Sequence, residues 1–268
     1  MFIPSKVTDN QILMDNDPGY IASLHMVGSP QLVKAWLEGD WNAVVGAYFP
    51  EFSQGHIIRP TPIPPYWTRF RAIDWGFHAP SAVLWIAVSD GMIPGIPEGA
   101  LVVYREHYAS GATAEELAQT IVARTDEPIT YSVCDPSMWP QKAKVVAGPS
   151  LAEVFHAQGC TLTPGDNNRL PGWQQIRQRL KGVDGVPMLY IFDTCRELIR
   201  TFPLAQHDDK KPEDLDTKGE DHLLDALRYG CMSRSWVVHK QKPKTDRALT
   251  VGRESTVTMD DLWNEAGY

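Results

Sequence analysis

Three carboxylates stand where apolar segments break. Asp74 closes RAID, the first of two apolar segments within residues 69–88. Asp135 follows YSVC and precedes Pro136, and Asp225 lies in EDHLLDALRYG, close behind Asp221 and His222. A carboxylate at the end of a core strand costs free energy unless something pairs with it, and a metal ion is a strong partner. Oxygen-rich ligation suits Mg2+ or Mn2+, which keep waters in their shell. Two such ions roughly 3.5–4 Å apart activate a water and stabilise the leaving oxygen when a phosphodiester bond is cleaved. In that chemistry the metals generate the nucleophile, and the protein's task is to hold carboxylates in place. His222, three residues before Asp225, can reach the same ligand from one helix face; it reads as a ligand before a proton carrier or a satisfied helix histidine.

Taken singly, each of these acids has an ordinary reading. Asp74 caps a turn with its own side chain, Asp135 before proline is a turn residue, and an acidic helix face opposite an apolar one is solvated. Their weight comes from the order of the elements around them. Residues 69–74 read as a strand, Gly76 to Pro80 as a turn, and SAVLWIAV as a second strand. SDGMIPGIPEGA is a turn rich in glycine and proline, and LVVY is a third strand ending in Arg105, Glu106 and His107. Connections this short imply an antiparallel meander. GATAEELAQTIVART then predicts a helix, with Thr113 and Glu116 as a capping box and Leu117, Ile121 and Val122 as its apolar stripe. The fourth strand, residues 129–134, is reached by this helical crossover and is expected parallel to its neighbour. If it lies beside the first, Asp74 and Asp135 end at one sheet edge, where ligands of α/β sheets gather.

Further units follow. A helix with a second capping box is expected at residues 150–155, a short strand at 160–162, and a basic helix at 171–181. A strand at 188–192 and a helix over 193–202, opening at Asp193, precede a polar, acidic loop at 207–219. On the last helix, Leu223, Leu224, Ala226, Leu227 and Cys231 share one face, and Asp221, His222, Asp225 and Tyr229 the other. The expected fold class is α/β with a mixed sheet. Residues 29–39 read as a short helix, and IIRPTPIPPYW as an extended linker.

The chain has 268 residues, a net charge of −8 and four dispersed cysteines without zinc-type spacing. Such a balance argues against coating nucleic acid by bulk electrostatics, but not against an enzyme that gathers acids at a metal site. The cysteines read as buried free thiols. No apolar run approaches the roughly 20 residues of a membrane span.

RAIDWGFHAPSAVLWIAV, YSVCDPSMW and EDHLLDALRYG, in this order and spacing, resemble the RNase H-like nucleases. More closely, they resemble the C-terminal nuclease domain of the terminase large subunit of tailed bacteriophages, with coverage to about Arg234. The resemblance implies an RNase H-like mixed β-sheet, a three-strand antiparallel meander plus parallel strands, flanked by helices. It divides the chain into a remnant of a motor domain and linker (1–60), a nuclease domain (61–236) and a tail (237–268). It implies that Asp74, Asp135 and Asp225 are catalytic metal ligands for two Mg2+ or Mn2+ ions. His222 matches an additional ligand, and Asp221 is its substitute; the sequence leaves the choice between them open. The activity implied is endonucleolytic cleavage of concatemeric viral DNA during packaging, in the cytoplasm of the bacterial host and away from membranes. The partners implied are double-stranded DNA, a terminase small subunit, a portal protein and a motor ATPase. GxxxxGK[ST] is absent from the sequence, so ATPase activity is not expected of this chain. Arg69, Arg71, Lys142, Lys144, Arg177, Arg179 and Lys181 are candidate phosphate contacts, which position DNA without reading it.

Competing readings are a resolvase or transposase of the same superfamily, an actin-like ATPase and a docking module without activity. Transposases usually close the triad with Glu where this chain has Asp225. The ATPase needs a second Asp-Gly loop like AIDWG, and none is seen. The docking module predicts that Asp74→Ala changes no activity.

Overall fold

The computed structural model describes residues 47–139 and 148–236. The strands are β1 (Ile57–Ile58), β2 (Arg69–Asp74), β3 (Ser81–Val88), β4 (Leu101–Ala109), β5 (Tyr131–Cys134), β6 (Thr163–Pro164) and β7 (Leu189–Phe192). The helices are α1 (Ala114–Ala123), α2 (Leu151–Ala157), α3 (Arg169–Lys181), α4 (Arg196–Leu204) and α5 (His222–Ser233). One sheet takes all seven strands in the order β1-β7-β4-β3-β2-β5-β6. β2, β3 and β4 form the expected antiparallel meander. β5 lies parallel beside β2, β6 beside β5, β7 beside β4 and β1 beside β7. β3 is therefore the strand that runs against the rest.

A sheet covered by helices on both faces needs strands apolar on both faces, and SAVLWIAV in β3 meets that need. Ala82, Leu84 and Ile86 point to one layer, with Phe70, Ala72, Trp173, Ile176, Leu198 and Leu227. Val83 and Trp85 point to the other, with Ile73, Leu117, Ile121 and Phe155. Helices α3, α4 and α5 thus cover one face, and α1 and α2 the other. All four cysteines are buried and free. Among the described residues, no helix is long and apolar enough to cross a membrane.

Several local expectations shift. β4 continues to Ala109, past the end of its apolar run, because β3 still offers pairing down to Ser81. The short strand expected at 160–162 forms instead at Thr163–Pro164, while Cys160 and Leu162 pack into the layer beneath α2. α4 begins at Arg196, not at Asp193, and its cap comes from another strand. Glu106 of β4 accepts from the backbone N–H of Glu197 and of Leu198, both at 2.9 Å. β1, a few residues before the expected boundary at 61, belongs to the sheet. The helix expected at 29–39, Lys142 and Lys144 lie outside the described residues.

Candidate functional site

The period of a strand decides which way Asp74 faces. Phe70, Ala72 and Asp74 alternate with Arg71 and Ile73, so Asp74 points to the layer that holds α5. Ile73 is in register with Cys134, the last residue of β5, so the next residues along, Asp74 and Asp135, leave the sheet at the same edge. Asp135 is fixed there by its own turn, its Oδ1 accepting from the N–H of Ser137 at 2.6 Å.

α5 brings the third carboxylate by lying close on β2 and β3. A Cβ on Gly230 would stand 2.8 Å from Ile86 Cδ1 and 3.2 Å from the Cβ of Ala72. α3 crosses on the other side, where a Cβ on Gly172 would stand 2.4 Å from Arg228 Cγ. The helix is thereby enclosed on both flanks. Asp225 is 8% exposed, Tyr229 3% and Arg228 2%, so the polar face of α5 is an interior face rather than a solvated one.

Asp74, Asp135, Asp221, His222 and Asp225 line one cleft of about 490 Å3, together with Arg169, Arg228 and Tyr229. Three of the four acids are hydrogen-bonded, and Asp221 has only an ion-pair contact with Arg169 at 3.9 Å. His222 Nδ1 donates to Asp74 Oδ2 at 3.0 Å, and the Tyr229 hydroxyl donates to Asp135 Oδ2. Arg228 donates to Asp225 Oδ1 at 2.8 Å, and Arg169 NH1 to Asp225 Oδ2 at 3.3 Å. Among the described residues, no three His, Cys, Asp or Glu side chains are arranged to hold a metal ion as they stand. The donor set is nevertheless one of hard oxygens, which fits Mg2+ or Mn2+ once the side chains turn from their present partners.

The electrostatics carry the mark of crowded acids. Burial, with Asp225 and Asp135 close by, pushes the Asp74 carboxyl above its usual range, against the pull of His222. Burial and the charge of Asp225 push Asp221 up to about 6. His222 is raised by its bond to Asp74, which favours the imidazolium. For Asp135 burial is the largest influence and acts upward, but the Tyr229 hydroxyl and the Ser137 amide outweigh it and hold the group low.

The five residues expected from the sequence, Asp74, Asp135, Asp221, His222 and Asp225, all line this cleft; the sequence reading sets Tyr229 on their helix face without giving it a role, and misses Arg169 and Arg228. Arg228 and Tyr229 stand in the EDHLLDALRYG segment, on the helix that carries Asp225. Arg169 carries no signal in the sequence, since its acidic partners Asp214 and Asp225 lie 45 and 56 residues away.

Of the candidate phosphate contacts, none of the five described ones lines the cleft. Arg71 is 6% exposed and bonded to Ser132 at 2.9 Å. Arg179 is 2% exposed and donates to the backbone oxygens of Gly99, Met188 and Arg234. Neither reaches a phosphate, because both guanidinium groups are consumed inside the fold. Arg69 holds the carbonyls of Ile63 and Pro64 at 2.9 and 3.1 Å. Arg177 donates to Tyr48 O and stacks on the Tyr48 ring, and Lys181 is exposed beside Glu51. Arg69 opens β2, so it stands about 17 Å along the strand from Asp74.

No family model matches the sequence, and a search of curated proteins finds no match. Solved structures do match the fold. The P22 large terminase nuclease domain is 18% identical with a TM-score of 0.54, over 70% of this chain and 92% of that one. A large terminase from a thermophilic bacteriophage is 18% identical with a TM-score of 0.55, over 85% of this chain and 54% of that one. The large terminase nuclease of another thermophilic phage, G20c, solved with bound cobalt, is 12% identical with a TM-score of 0.50, over 70% of this chain and 97% of that one. The chain spans nearly all of the two nuclease domains and about half of the longer large terminase. With its mixed sheet, its flanking helices and the edge at which β2 and β5 end, this chain has the fold of the nuclease domain of phage large terminases.

Proposed function

We propose that this chain is a divalent-metal-dependent endonuclease that hydrolyses the backbone of double-stranded, concatemeric DNA during viral packaging. The observation that carries the reading is the convergence of Asp74, Asp135 and Asp225, from two parallel strands and one helix, on a single cleft. The shared fold with phage terminase nucleases supports it, as does the cobalt bound by the G20c nuclease.

On this reading Asp74, Asp135 and Asp225 hold the ions, Mg2+ or Mn2+, with His222 or Asp221 as a further ligand. When bound, two such ions supply an activated water and a counter-charge for the leaving oxygen. The chain's own residues do the positioning. His222 Nδ1 holds Asp74, which leaves Nε2 as the ring atom for a ligand or a proton. Tyr229 orients Asp135, and Arg228 fixes one oxygen of Asp225. Gly230 lets α5 lie close enough to the sheet for these partners to meet. Residues 61–236 form the nuclease domain on this reading, with 1–60 as the end of a motor domain and 237–268 as a tail. A small subunit, a portal protein and a motor ATPase are its partners, in the host cytoplasm.

The test is plasmid cleavage by the whole chain in Mn2+, Mg2+ or EDTA, beside Asp74→Ala and Asp225→Ala. Cutting that requires the metal and is lost in both variants is the expected result. Cutting that survives both substitutions would mean that this cleft is not where the chemistry happens.

A further inference from the structure

Asp225 has two oxygens, and two arginines of different character hold them. Arg228 sits on the same helix, is 2% exposed, and places both Nε and NH2 on Oδ1. Its Cγ is confined by Gly172 of α3, so it is a fixed partner. Arg169 holds Oδ2 instead, from the first residue of α3, with its side chain 28% exposed. It spans three acids: Nε donates to Asp214 Oδ1 at 3.1 Å, NH1 to Asp225 Oδ2 at 3.3 Å, and NH2 lies 3.9 Å from Asp221 Oδ2.

We propose that Arg169 is the resident counter-cation of the acidic cleft, which a divalent metal must displace from Asp225 and Asp221, and that Asp214 positions it by keeping its inner end seated meanwhile. The inference rests on the metal-centre reading above and deepens it.

The asymmetry of the contacts supports this. NH1 of Arg169 meets the candidate ligand Asp225, and NH2 faces Asp221 at 3.9 Å while donating to the Leu215 carbonyl at 3.4 Å; Nε meets Asp214, which like Leu215 does not line the cleft. Asp214 is itself rigidly held, accepting from Trp173 Nε1 and from the Leu215 N–H, both at 2.8 Å. The guanidinium also rests over the Trp173 ring at 5.1 Å. Arg169 can therefore release Asp225 and Asp221 without losing its anchor. Four carboxylates lining one cleft repel one another, and a planar fork that bridges two of them neutralises the excess until a denser charge arrives. Asp214 stands in the acidic loop that the sequence marks at 207–219, which gives that loop a task at the site.

The test is Mn2+ titration of the whole chain, followed by the paramagnetic resonance of free Mn2+, with thermal unfolding to confirm that each variant is folded. Removing a partly exposed ion pair in Arg169→Gln is expected to tighten Mn2+ binding about fivefold, equivalent to about 1 kcal/mol. Arg169→Lys, which keeps the charge and loses the fork, should fall between. Asp214→Asn is expected to weaken binding in the otherwise native chain, since Arg169 then leans wholly on Asp225 and Asp221. In an Arg169→Gln background the same substitution should do nothing, and that coupling separates positioning from a general change of field. Asp209→Asn, an exposed carboxylate of the same loop, controls for net charge and should leave affinity unchanged. Unchanged affinity in Arg169→Gln, or a loss in Asp214→Asn that persists without Arg169, overturns the inference and leaves the metal centre standing. If the chain shows no Mn2+ binding that Asp225→Asn removes, the metal centre falls, and this inference with it.

Discussion

Replacing Gly230 by alanine tests whether the site depends on how closely α5 lies on the sheet. At an ordinary helical position the change would stabilise, since alanine exceeds glycine in helix propensity by about 1 kcal/mol. Here the new methyl would stand 2.8 Å from Ile86 Cδ1 and 3.2 Å from the Cβ of Ala72. The first atom is the end of a side chain in a fully buried layer, and the second moves only if β2 moves. Overpacking of this kind costs about 1–3 kcal/mol, so the net effect is a loss of about 1 kcal/mol after the propensity gain. At a urea slope of about 2 kcal/mol per molar, the unfolding midpoint falls by on the order of 0.5 M. The remedy can be tested in the same assay, because Ile86→Val removes the atom that is struck. Alone it should cost about 1 kcal/mol, and combined with Gly230→Ala the two should cost at least about 0.5 kcal/mol less than their sum. A midpoint that rises in Gly230→Ala, or strict additivity in the pair, would refute the close-approach account. A helix lifted from β2 also carries Asp225 away from Asp74, so cleavage should fall along with stability.

Two other perturbations probe the scaffold. Glu106 is raised above its ordinary 4.5 by burial, although the amides of Glu197 and Leu198 pull the other way. The folded state thus holds that proton more tightly than the unfolded chain, a contribution fully present below about pH 4.5 and lost as pH rises through the folded value. Urea unfolding of wild type and Glu106→Gln across this range should show the wild type's relative stability declining as pH rises; a flat or rising difference would contradict the assignment. Arg228→Ala strands a carboxylate that is 8% exposed and should cost about 3 kcal/mol or more by chemical denaturation, so a loss under about 1 kcal/mol would show that Arg169 alone suffices for Asp225.

The elements that build the site are readable because their signals are local. The alternation around Asp74, the capping box at Thr113 and the turn at Pro136 each act within a few residues, and together they imply a parallel fourth strand, while its place beside β2 is a condition that only the structure meets. What escapes reading depends on distant partners. The sequence places the start of α4 at Asp193 because no nearby residue signals otherwise, whereas the capping group is Glu106, about 90 residues earlier. The basic run in α3 reads as a surface for phosphates, yet Arg179 turns inward to the carbonyls of Gly99 and Met188. The polar stripe of α5 reads as solvated because sequence periodicity describes one helix and not the helix laid across it. Only Gly172 hints that α3 comes so close.

The enclosure of α5 also bears on when the site can move. Its backbone is buried between the sheet and α3, so its amides have no route to solvent short of large-scale opening. Their exchange with deuterium should track the unfolding of the whole domain. Asp225 is therefore carried by one of the slowest-exchanging parts of the molecule, and its backbone cannot adapt by small local fluctuations. Adjustment to a ligand is left to the groups at the margin: the outer end of the Arg169 side chain, which swings about its anchor on Asp214, and the turn after Asp74. In this protein rigidity belongs to the backbone that carries Asp225, and motion to the side chains around it.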